Sequence, residues 1–390
     1  MGAVNKFIEI STSLTRLRIF TLALELLIGL AIYLLIRIKT KDFLSAFLGF
    51  ITFLSLISIN KFHVIVRIDY LYILFILLSV YFLVRFKESG KSFLLLYFII
   101  FGTLSIFTKI PAIATFATIT LYHFVNYKKE SRILISISII ALLCLILFIV
   151  TNKVTSGGFY LHTIANQLSK PIDRDTAKTF LADLFVTYRI LIFPVIYLLL
   201  KYRKYVDPLY LVLFLSSITE ATLSIFKLGG DQNYFILPIS LLCVVLFSTK
   251  RKVYEIYNIV IPICFVLLSI GGYYRWCLTE ASYKQNQDFE RSFSTIDDEY
   301  LLTNNVYPFY KSDRKLFTND LFQYSINSQV KRQNGVPDIF LRGVKFNYIF
   351  TSYYSYVKSV NIFPIDEFEL IYETNNNCLK QEIWKRKQAQ

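Results

Sequence analysis

A lysine stands at the centre of a long apolar stretch of this sequence. Residues 93 to 126 are almost all apolar, long enough for two membrane spans, and the segment FTKIPAIA puts Lys109 and Pro111 at their middle. Proline begins a helix without needing its own N–H bonded, so a tight turn followed by a new helix is predicted. A helix N-terminus and an ammonium group together attract an anion such as a lipid head group. The alternative is a lysine that only reaches water from a span end.

Further ionisable side chains lie inside or beside apolar segments. Glu25 and Glu220 interrupt apolar runs, where such groups usually face protein or a water-filled cavity. Glu220 and Lys227 are seven positions apart and share a helix face, so a simple ion pair between them is one interpretation. The other polar positions of this kind are Arg67, Asp69, His162 and the segment GGDQNYF at 229–235.

Membrane-spanning helices are the elements that must position these residues. Of the 390 residues, 55% are hydrophobic and 18% charged, which lies outside the range of soluble globular proteins. The sequence predicts an α-helical polytopic membrane protein, with residues 1–275 in the lipid bilayer and 276–390 forming a small soluble α/β domain. The ten predicted spans are 18–37, 43–60, 69–85, 92–108, 110–126, 133–151, 183–200, 208–226, 234–249 and 257–274.

Basic residues set the expected orientation of the spans. Alternate short loops carry three basic residues each, as in Arg37, Lys39 and Lys41, and by the positive-inside rule these loops are cytoplasmic. The loop at Lys109 and the C-terminal domain are then extracytoplasmic. Residues 276–390 contain 14 Lys plus Arg and 14 Asp plus Glu, so the net charge of +15 belongs to the membrane half. A neutral soluble domain gives no reason to expect a nucleic-acid partner.

The soluble domain is expected to alternate short strands and helices. Strands are predicted near 300–304 and 347–352, helices near 306–311 and 337–343, and a hairpin from FELIYE to LKQEIWK closes the domain. A further element is predicted near 317–330. About 115 residues are enough to bury a core of their own.

The order of these segments resembles the C-type superfamily of membrane glycosyltransferases (GT-C). The nearest resemblance is to relatives of the protein O-mannosyltransferases and of the aminoarabinose transferase. The segment RIDYLYILFILLSVYFLVR (67–85) is similar to the family's Arg-x-Asp start of a span, and FGTLSIFTKIPAIA to its lysine-containing hairpin. SGGFYLHT (156–163) resembles an outer-loop segment, and GGDQNYFILP (229–238) the Gly-x-x-Asn-Tyr-Phe segment. The C-terminal segments LLTNNVYPFY, LFTNDLF and PDIFLRGVKFNYIFTSY resemble an exported α/β domain.

The resemblance implies a reaction and a set of site residues. Such enzymes take a sugar from a polyprenyl-phosphate-linked donor and pass it to an acceptor hydroxyl of a lipid, protein or glycan at the outer face. A carboxylate serves as general base, and cationic groups steady the departing phosphate. Carried over by position, the donor-binding residues are Arg67, Lys109, His162, Lys227, Asn233 and Tyr234.

The start of the sequence departs from the family pattern. Family members begin with a cytoplasmic N-terminus, a first span and a large outer loop that holds the catalytic Asp. Here MGAVNKFIEISTSLTRLRIF resembles the stretch after that loop, so an N-terminally incomplete chain is expected, with Asp69 the best remaining carboxylate for the base. The alternatives are a non-catalytic relative that binds or moves a lipid-linked glycan, and a secondary transporter.

No metal or other cofactor is expected. Asp173 and Asp175 form a D-x-D triplet that hard cations can use, but such triplets are common by chance. The three histidines, His63, His123 and His162, lack the spacing of zinc ligands. Glycine-rich motifs for nucleotide phosphates are absent from the sequence.

Overall fold

A computed structural model describes most of the first 249 residues and the strands of the C-terminal domain. The described residues are 14–59, 69–126, 131–165, 168, 172, 174–202, 204–227, 232–249, 300–303, 315–318, 348–351, 368–376 and 379–387. They fall into two compact units: residues 1–163 with 171–273, and residues 164–170 with 274–390. The first unit contains the helices that concern the site.

Nine long helices follow one another in the described part of the first unit. They are α1 (Leu14–Thr40), α2 (Phe43–Ile59), α3 (Asp69–Ser89), α4 (Phe93–Thr108), α5 (Ala112–Asn126), α6 (Ser131–Val154), α7 (Arg174–Tyr202), α8 (Pro208–Ile225) and α9 (Ile236–Phe247). A single helical turn (Gly158–Tyr160) and a π-helical segment (Leu161–Ala165) follow α6, and a 3-10 turn (Gln232–Phe235) leads into α9. These helices match the first nine predicted spans, and the tenth, 257–274, lies outside the described residues.

The helices belong to an integral membrane protein. Four of them are long and apolar enough to cross a bilayer, namely Ile19–Thr40 of α1, α3, α6 and α8. The clearest case is α6, which buries only Ile133, Ser136 and Ile140 while it exposes large apolar side chains such as Leu142 and Ile149. A helix that is apolar on every side and exposes most of its surface requires an apolar solvent.

Helices α3 and α4 form an antiparallel hairpin that brings two predicted site residues to one end. Midway along it, the Ser79 hydroxyl donates to the Phe98 carbonyl at 3.0 Å. The Phe82 ring stacks on Phe101, with ring centroids 5.6 Å apart. Because Asp69 begins α3 and Lys109 directly follows α4, these contacts bring both residues to the same end of the hairpin.

A glycine permits α4, α5 and α6 to approach closely. A Cβ placed on Gly102 would lie 2.7 Å from Cδ1 of Ile140 on α6 and 3.0 Å from Cε1 of Phe116 on α5. Gly102 is buried, and the ring of Phe116 also faces Phe98 of α4, with 6.0 Å between centroids. This contact packs α4 against the two helices that follow it.

The opposite end of the bundle gathers basic residues. The Lys39 ammonium at the end of α1 lies 2.7 Å from a carboxylate oxygen of Asp207 and 5.9 Å from the centroid of the Tyr210 ring. Asp207 also caps α8, since its side chain accepts the N–H of Leu209 at 2.9 Å. Lys87, in the last turn of α3, lies 5.8 Å from the centroid of the Tyr122 ring near the end of α5. We call this the basic end.

The described strands of the second unit form one mixed sheet. Its order is β2 (Lys315–Thr318), β1 (Tyr300–Thr303), β3 (Tyr348–Thr351), β5 (Leu379–Arg386) and β4 (Phe368–Asn376). Strand β1 pairs in parallel with β2 and β3, whereas β5 is antiparallel to β3 and β4. The two predicted strands and the closing hairpin are confirmed. The predicted helices 306–311 and 337–343 lie outside the described residues.

Gly102→Val is expected to destabilise the membrane unit. The added side chain cannot fit against Ile140 and Phe116 without moving a helix, at a cost of about 1–3 kcal/mol. The apparent melting temperature in detergent measures the effect. Ala141→Val, at an exposed position of α6, is the matched control and is expected to change stability by no more than about 0.5 kcal/mol. Equal melting temperatures for the two variants would contradict the close approach at Gly102.

Candidate functional site

Lys109 occupies the tight turn between α4 and α5. Its backbone is extended, with φ −154° and ψ 119°, and its N–H still bonds to the Ser105 carbonyl at 3.0 Å. The Lys109 carbonyl accepts the N–H of Ala112, the first residue of α5, at 3.1 Å. Pro111 therefore precedes α5 directly, in agreement with the predicted turn. The turn leaves the lysine side chain at the end of two helices instead of in the lipid-facing middle of either.

The Lys109 ammonium forms an ion pair with Oδ1 of Asp69. Both side chains are largely withdrawn from solvent, with 18% of the lysine and 6% of the aspartate exposed. Asp69 is the first residue of α3, where the unpaired N–H groups of a helix start favour a negative charge. A buried charge is tolerated only when it is paired, so each of these two residues makes the burial of the other possible.

Asn233 completes the coordination of the aspartate. Its amide Nδ2 donates to Oδ2 of Asp69 at 2.6 Å, so both oxygens of that carboxylate are engaged. Asn233 lies in the 3-10 turn before α9 and is only 4% exposed. Its own Oδ1 is inaccessible to solvent, and no residue in the described part of the chain donates to it. A buried acceptor without a donor is uncommon in proteins and marks a place where a ligand can supply one.

Two tyrosine rings flank the lysine. The Lys109 Nζ lies 4.2 Å from the centroid of Tyr234 and 5.2 Å from that of Tyr72. Within about 6 Å of a ring centroid an ammonium is attracted by the negative face of the ring. Tyr72 is 1% exposed and belongs to α3, whereas Tyr234 follows Asn233 in the 3-10 turn. The rings hold the ammonium without adding a negative charge to that of Asp69.

A second carboxylate acts on the same cluster. Glu220, near the C-terminal end of α8, is partly buried and experiences the charges of Lys109 and Asp69. Its Oε1 is inaccessible to solvent and has no donor among the described residues. The other predicted membrane carboxylate, Glu25 of α1, is 3% exposed and lies beside Tyr70. Both acids thus face protein, as their positions in apolar spans predicted.

The structure brings together four of the seven residues predicted for the site. Asp69 contacts both Lys109 and Asn233, and the Lys109 ammonium lies over the ring of Tyr234. Lys227 lies just beyond the end of α8, is exposed, and forms an isolated antiparallel bridge with Ile172. Arg67 and the side chain of His162 lie outside the described residues.

Sequence reasoning missed Tyr72, and it named Glu220 without assigning it to the site. Tyr72 lies three residues after Asp69 on the same face of α3, a spacing that would have found it. For Glu220 the spacing indicated Lys227 as the cationic neighbour, and that pairing stays a prediction, while the charge of Lys109 also reaches Glu220 in the structure.

Comparison with known proteins identifies the fold. No family model matches the sequence, and no curated protein matches it significantly. The structure is similar to the crystal structure of ArnT from Cupriavidus metallidurans bound to undecaprenyl phosphate, with a TM-score of 0.58 and 10% sequence identity. The match covers 94% of this chain and 83% of that one. The chain therefore has a GT-C-like fold, as its sequence resemblance implied.

The arrangement is suited to binding an anion with hydrogen-bond donors beside it. The ammonium of Lys109 is positioned by one carboxylate and two rings, and two acceptor oxygens, Asn233 Oδ1 and Glu220 Oε1, lack donors among the described residues. Within the described part of the chain, no three His, Cys, Asp or Glu side chains are grouped to hold a metal ion.

Asp69→Ala is expected to lower stability by about 3 kcal/mol, because it leaves the Lys109 ammonium buried without its partner. Asp207→Ala, which removes the ion pair and the helix cap at the basic end, is expected to cost about 1 kcal/mol. Apparent melting temperatures in detergent make the comparison. The double variant Asp69→Ala with Lys109→Ala is expected to lose less stability than the sum of the losses of the two single variants. Additive losses would show that the two side chains are not energetically coupled.

Proposed function

We propose that this protein is a membrane glycosyltransferase that takes a sugar from a polyprenyl-phosphate-linked donor at the extracytoplasmic face. The observation that carries the proposal is the Lys109 ammonium, held at one end of a GT-C-like bundle by Asp69 and two tyrosine rings. A cation at that depth suits a phosphate whose lipid tail remains in the bilayer. The ArnT structure with a related fold contains undecaprenyl phosphate, which supports a ligand of this class.

In the proposed reaction Lys109 stabilises the departing phosphate. The bond between the anomeric carbon and the phosphate oxygen breaks, and the electron pair stays on the phosphate. A bond forms from the acceptor oxygen to the anomeric carbon, and the proton of the acceptor hydroxyl passes to the departing phosphate, which leaves as a monoester. Negative charge grows on the phosphate oxygens during this step, so a fixed ammonium in a water-poor site lowers the barrier. The acceptor hydroxyl belongs to a lipid, a protein or a glycan.

Asp69 fits a positioning role better than the role of base that its sequence position indicated. A base needs a free oxygen within reach of the acceptor proton, whereas Oδ1 and Oδ2 of Asp69 are bonded to Lys109 and Asn233. We assign Asp69 and Asn233 the task of holding the ammonium in place. Arg67, His162 and Lys227 stay proposed as further donor-binding residues.

Because both oxygens of Asp69 are bonded, the site also favours one alternative function. In this alternative the protein is a relative that binds or moves a lipid-linked glycan without transferring the sugar. The two functions differ in whether the donor is consumed. Incubation with an undecaprenyl-phosphate-linked sugar and an acceptor extract releases undecaprenyl phosphate in the enzyme case only, and thin-layer chromatography separates the two lipids.

Lys109→Ala is expected to weaken the binding of undecaprenyl phosphate about 30-fold, which corresponds to about 2 kcal/mol for a lost charge-assisted contact. Titration of the purified protein in nanodiscs with the lipid gives the dissociation constants. Lys39→Ala is the matched control, because Lys39 also contacts a carboxylate and a tyrosine ring but lies at the basic end. Its affinity is expected to equal that of the wild type.

The proposal fails if the wild-type protein does not bind undecaprenyl phosphate, or if Lys109→Ala and Lys39→Ala bind it equally well. Size-exclusion profiles of both variants establish that they are folded before the affinities are compared.

A labelling experiment tests the proposed orientation. In a background without the five native cysteines, Ile110→Cys is expected to react with a membrane-impermeant thiol reagent in intact cells. Ile110 lies in the Lys109 turn and is 38% exposed. Lys41→Cys, at the basic end, is expected to react only after permeabilisation.

A protease-sensitive tag after Gln390 reports the side of the C-terminal domain, which is proposed to be extracytoplasmic. Labelling of Lys41→Cys but not of Ile110→Cys in intact cells would refute an outward-facing site.

A further inference from the structure

The amide oxygen of Asn233 is a buried acceptor that the ion pair does not use. Asn233 is 4% exposed, and its Oδ1 receives no hydrogen bond from the residues that the structure describes. The orientation of the amide is fixed, because Nδ2 donates to Oδ2 of Asp69 at 2.6 Å and a reversal would place two acceptor oxygens against each other. An unpaired buried oxygen destabilises the protein, so its position indicates a ligand that supplies a donor.

Packing fixes the 3-10 turn that carries this amide. Phe235 packs against a small buried cluster formed by Ala177 and Leu184 of α7 and Ile225 of α8. The first residues of α9, which follow directly, are buried as well. A close-packed turn does not rearrange at low cost to give Asn233 Oδ1 another partner. The donor therefore has to be brought to the oxygen.

The unpaired oxygen lies near the cation that is proposed to bind the lipid phosphate. The Lys109 ammonium and the Asn233 amide bind the two oxygens of one carboxylate, that of Asp69. Two hydrogen bonds, a carboxylate and an amide separate Lys109 Nζ from Asn233 Oδ1, which limits the distance between these atoms to about 10 Å. A group attached to the phosphate can span that distance. The prenyl chain cannot satisfy the oxygen, because a hydrocarbon has no hydrogen-bond donor.

We propose that Asn233 is a specificity-determining residue, whose Oδ1 accepts a hydrogen bond from a hydroxyl or amino group of the sugar to be transferred. This inference rests on the proposed function, because it assumes that Lys109 binds the phosphate of the lipid-linked donor. Asn233 carries no charge, so it recognises the sugar without repelling the phosphate. A lipid whose phosphate bears a group without such a donor leaves the oxygen unpaired, and the site discriminates against it for that reason.

Four lipids of equal charge test the inference without knowledge of the natural sugar. They are undecaprenyl phosphodiesters that carry a 2-hydroxyethyl, n-propyl, 4-hydroxybutyl or n-pentyl group. Each hydroxyl-bearing lipid is matched by an alkyl lipid of the same size, so the two members of a pair differ in one hydrogen-bond donor. Dissociation constants are measured in nanodiscs for the wild type, Asn233→Leu, Asn233→Val and Tyr234→Leu.

The wild type is expected to bind at least one hydroxyl-bearing lipid about tenfold more tightly than its alkyl partner, since the hydroxyl pairs with a buried acceptor. Asn233→Leu and Asn233→Val lack that acceptor and are expected to lose the preference. Both variants also remove the hydrogen bond to Asp69, which affects the two members of a pair alike and leaves the ratio of their dissociation constants unchanged.

Tyr234→Leu is the matched control in the same turn. It removes a ring that lies 4.2 Å from the Lys109 ammonium, but it leaves the Asn233 amide in place. This variant is expected to bind all four lipids more weakly and to keep the preference for the hydroxyl.

The outcomes separate failure of this inference from failure of the proposed function. If the wild type binds neither these lipids nor undecaprenyl phosphate, the proposed function is wrong. If it binds undecaprenyl phosphate but shows no preference within either pair, or binds none of the four diesters, only this inference is wrong. Retention of the preference in an Asn233 variant, or its loss in Tyr234→Leu, would also overturn the assignment. Two substitutions of Asn233 make the result independent of a folding defect in either one.

Discussion

The structure around the site depends on one constraint, the need to keep a lysine charged at the end of an apolar helix bundle. An ammonium removed from water must have a carboxylate near it, and Asp69 is supplied by the first residue of the neighbouring helix. That pairing requires α3 and α4 to be antiparallel, in register and close. The Ser79 hydrogen bond and the stacking of Phe82 satisfy those requirements. The hairpin thus positions the ion pair as well as packing the two helices together.

The same constraint explains why polar residues of distant segments converge. A paired carboxylate still has an oxygen to satisfy, and Asn233 donates to it from a segment far along the chain. The irregular 3-10 turn before α9 presents Asn233 and Tyr234 together, one to the aspartate and the other to the lysine. Non-helical backbone at such a position is tolerated because it lines a polar cluster instead of facing lipid.

Much of the fold could be predicted because bilayer thickness fixes helix length. The turn at Lys109 and Pro111 and the importance of Asp69 followed from polar residues that are costly in lipid. The neighbours of Glu220 could not be predicted in this way. Helical spacing shows which residues share a face, but not which helix that face meets. The influence of Lys109 on Glu220 depends on the packing of α8 within the bundle. The order of the C-terminal sheet escaped prediction for the same reason, because β1 lies between β2 and β3 through pairings distant in sequence.

A fold shared at 10% identity is reasonable for a protein of this kind. Lipid-facing positions accept almost any apolar residue, since leucine, isoleucine and phenylalanine are equally compatible with hydrocarbon, and their exchange leaves helix length and direction unchanged. Sequence similarity therefore disappears first from the spans, which make up most of the chain. Polar residues at span ends are restricted by charge pairing, and a change at one of them leaves another buried and unsatisfied. The restricted positions are consequently few, such as Asp69, Lys109 and Asn233, and whole-chain identity scarcely registers them.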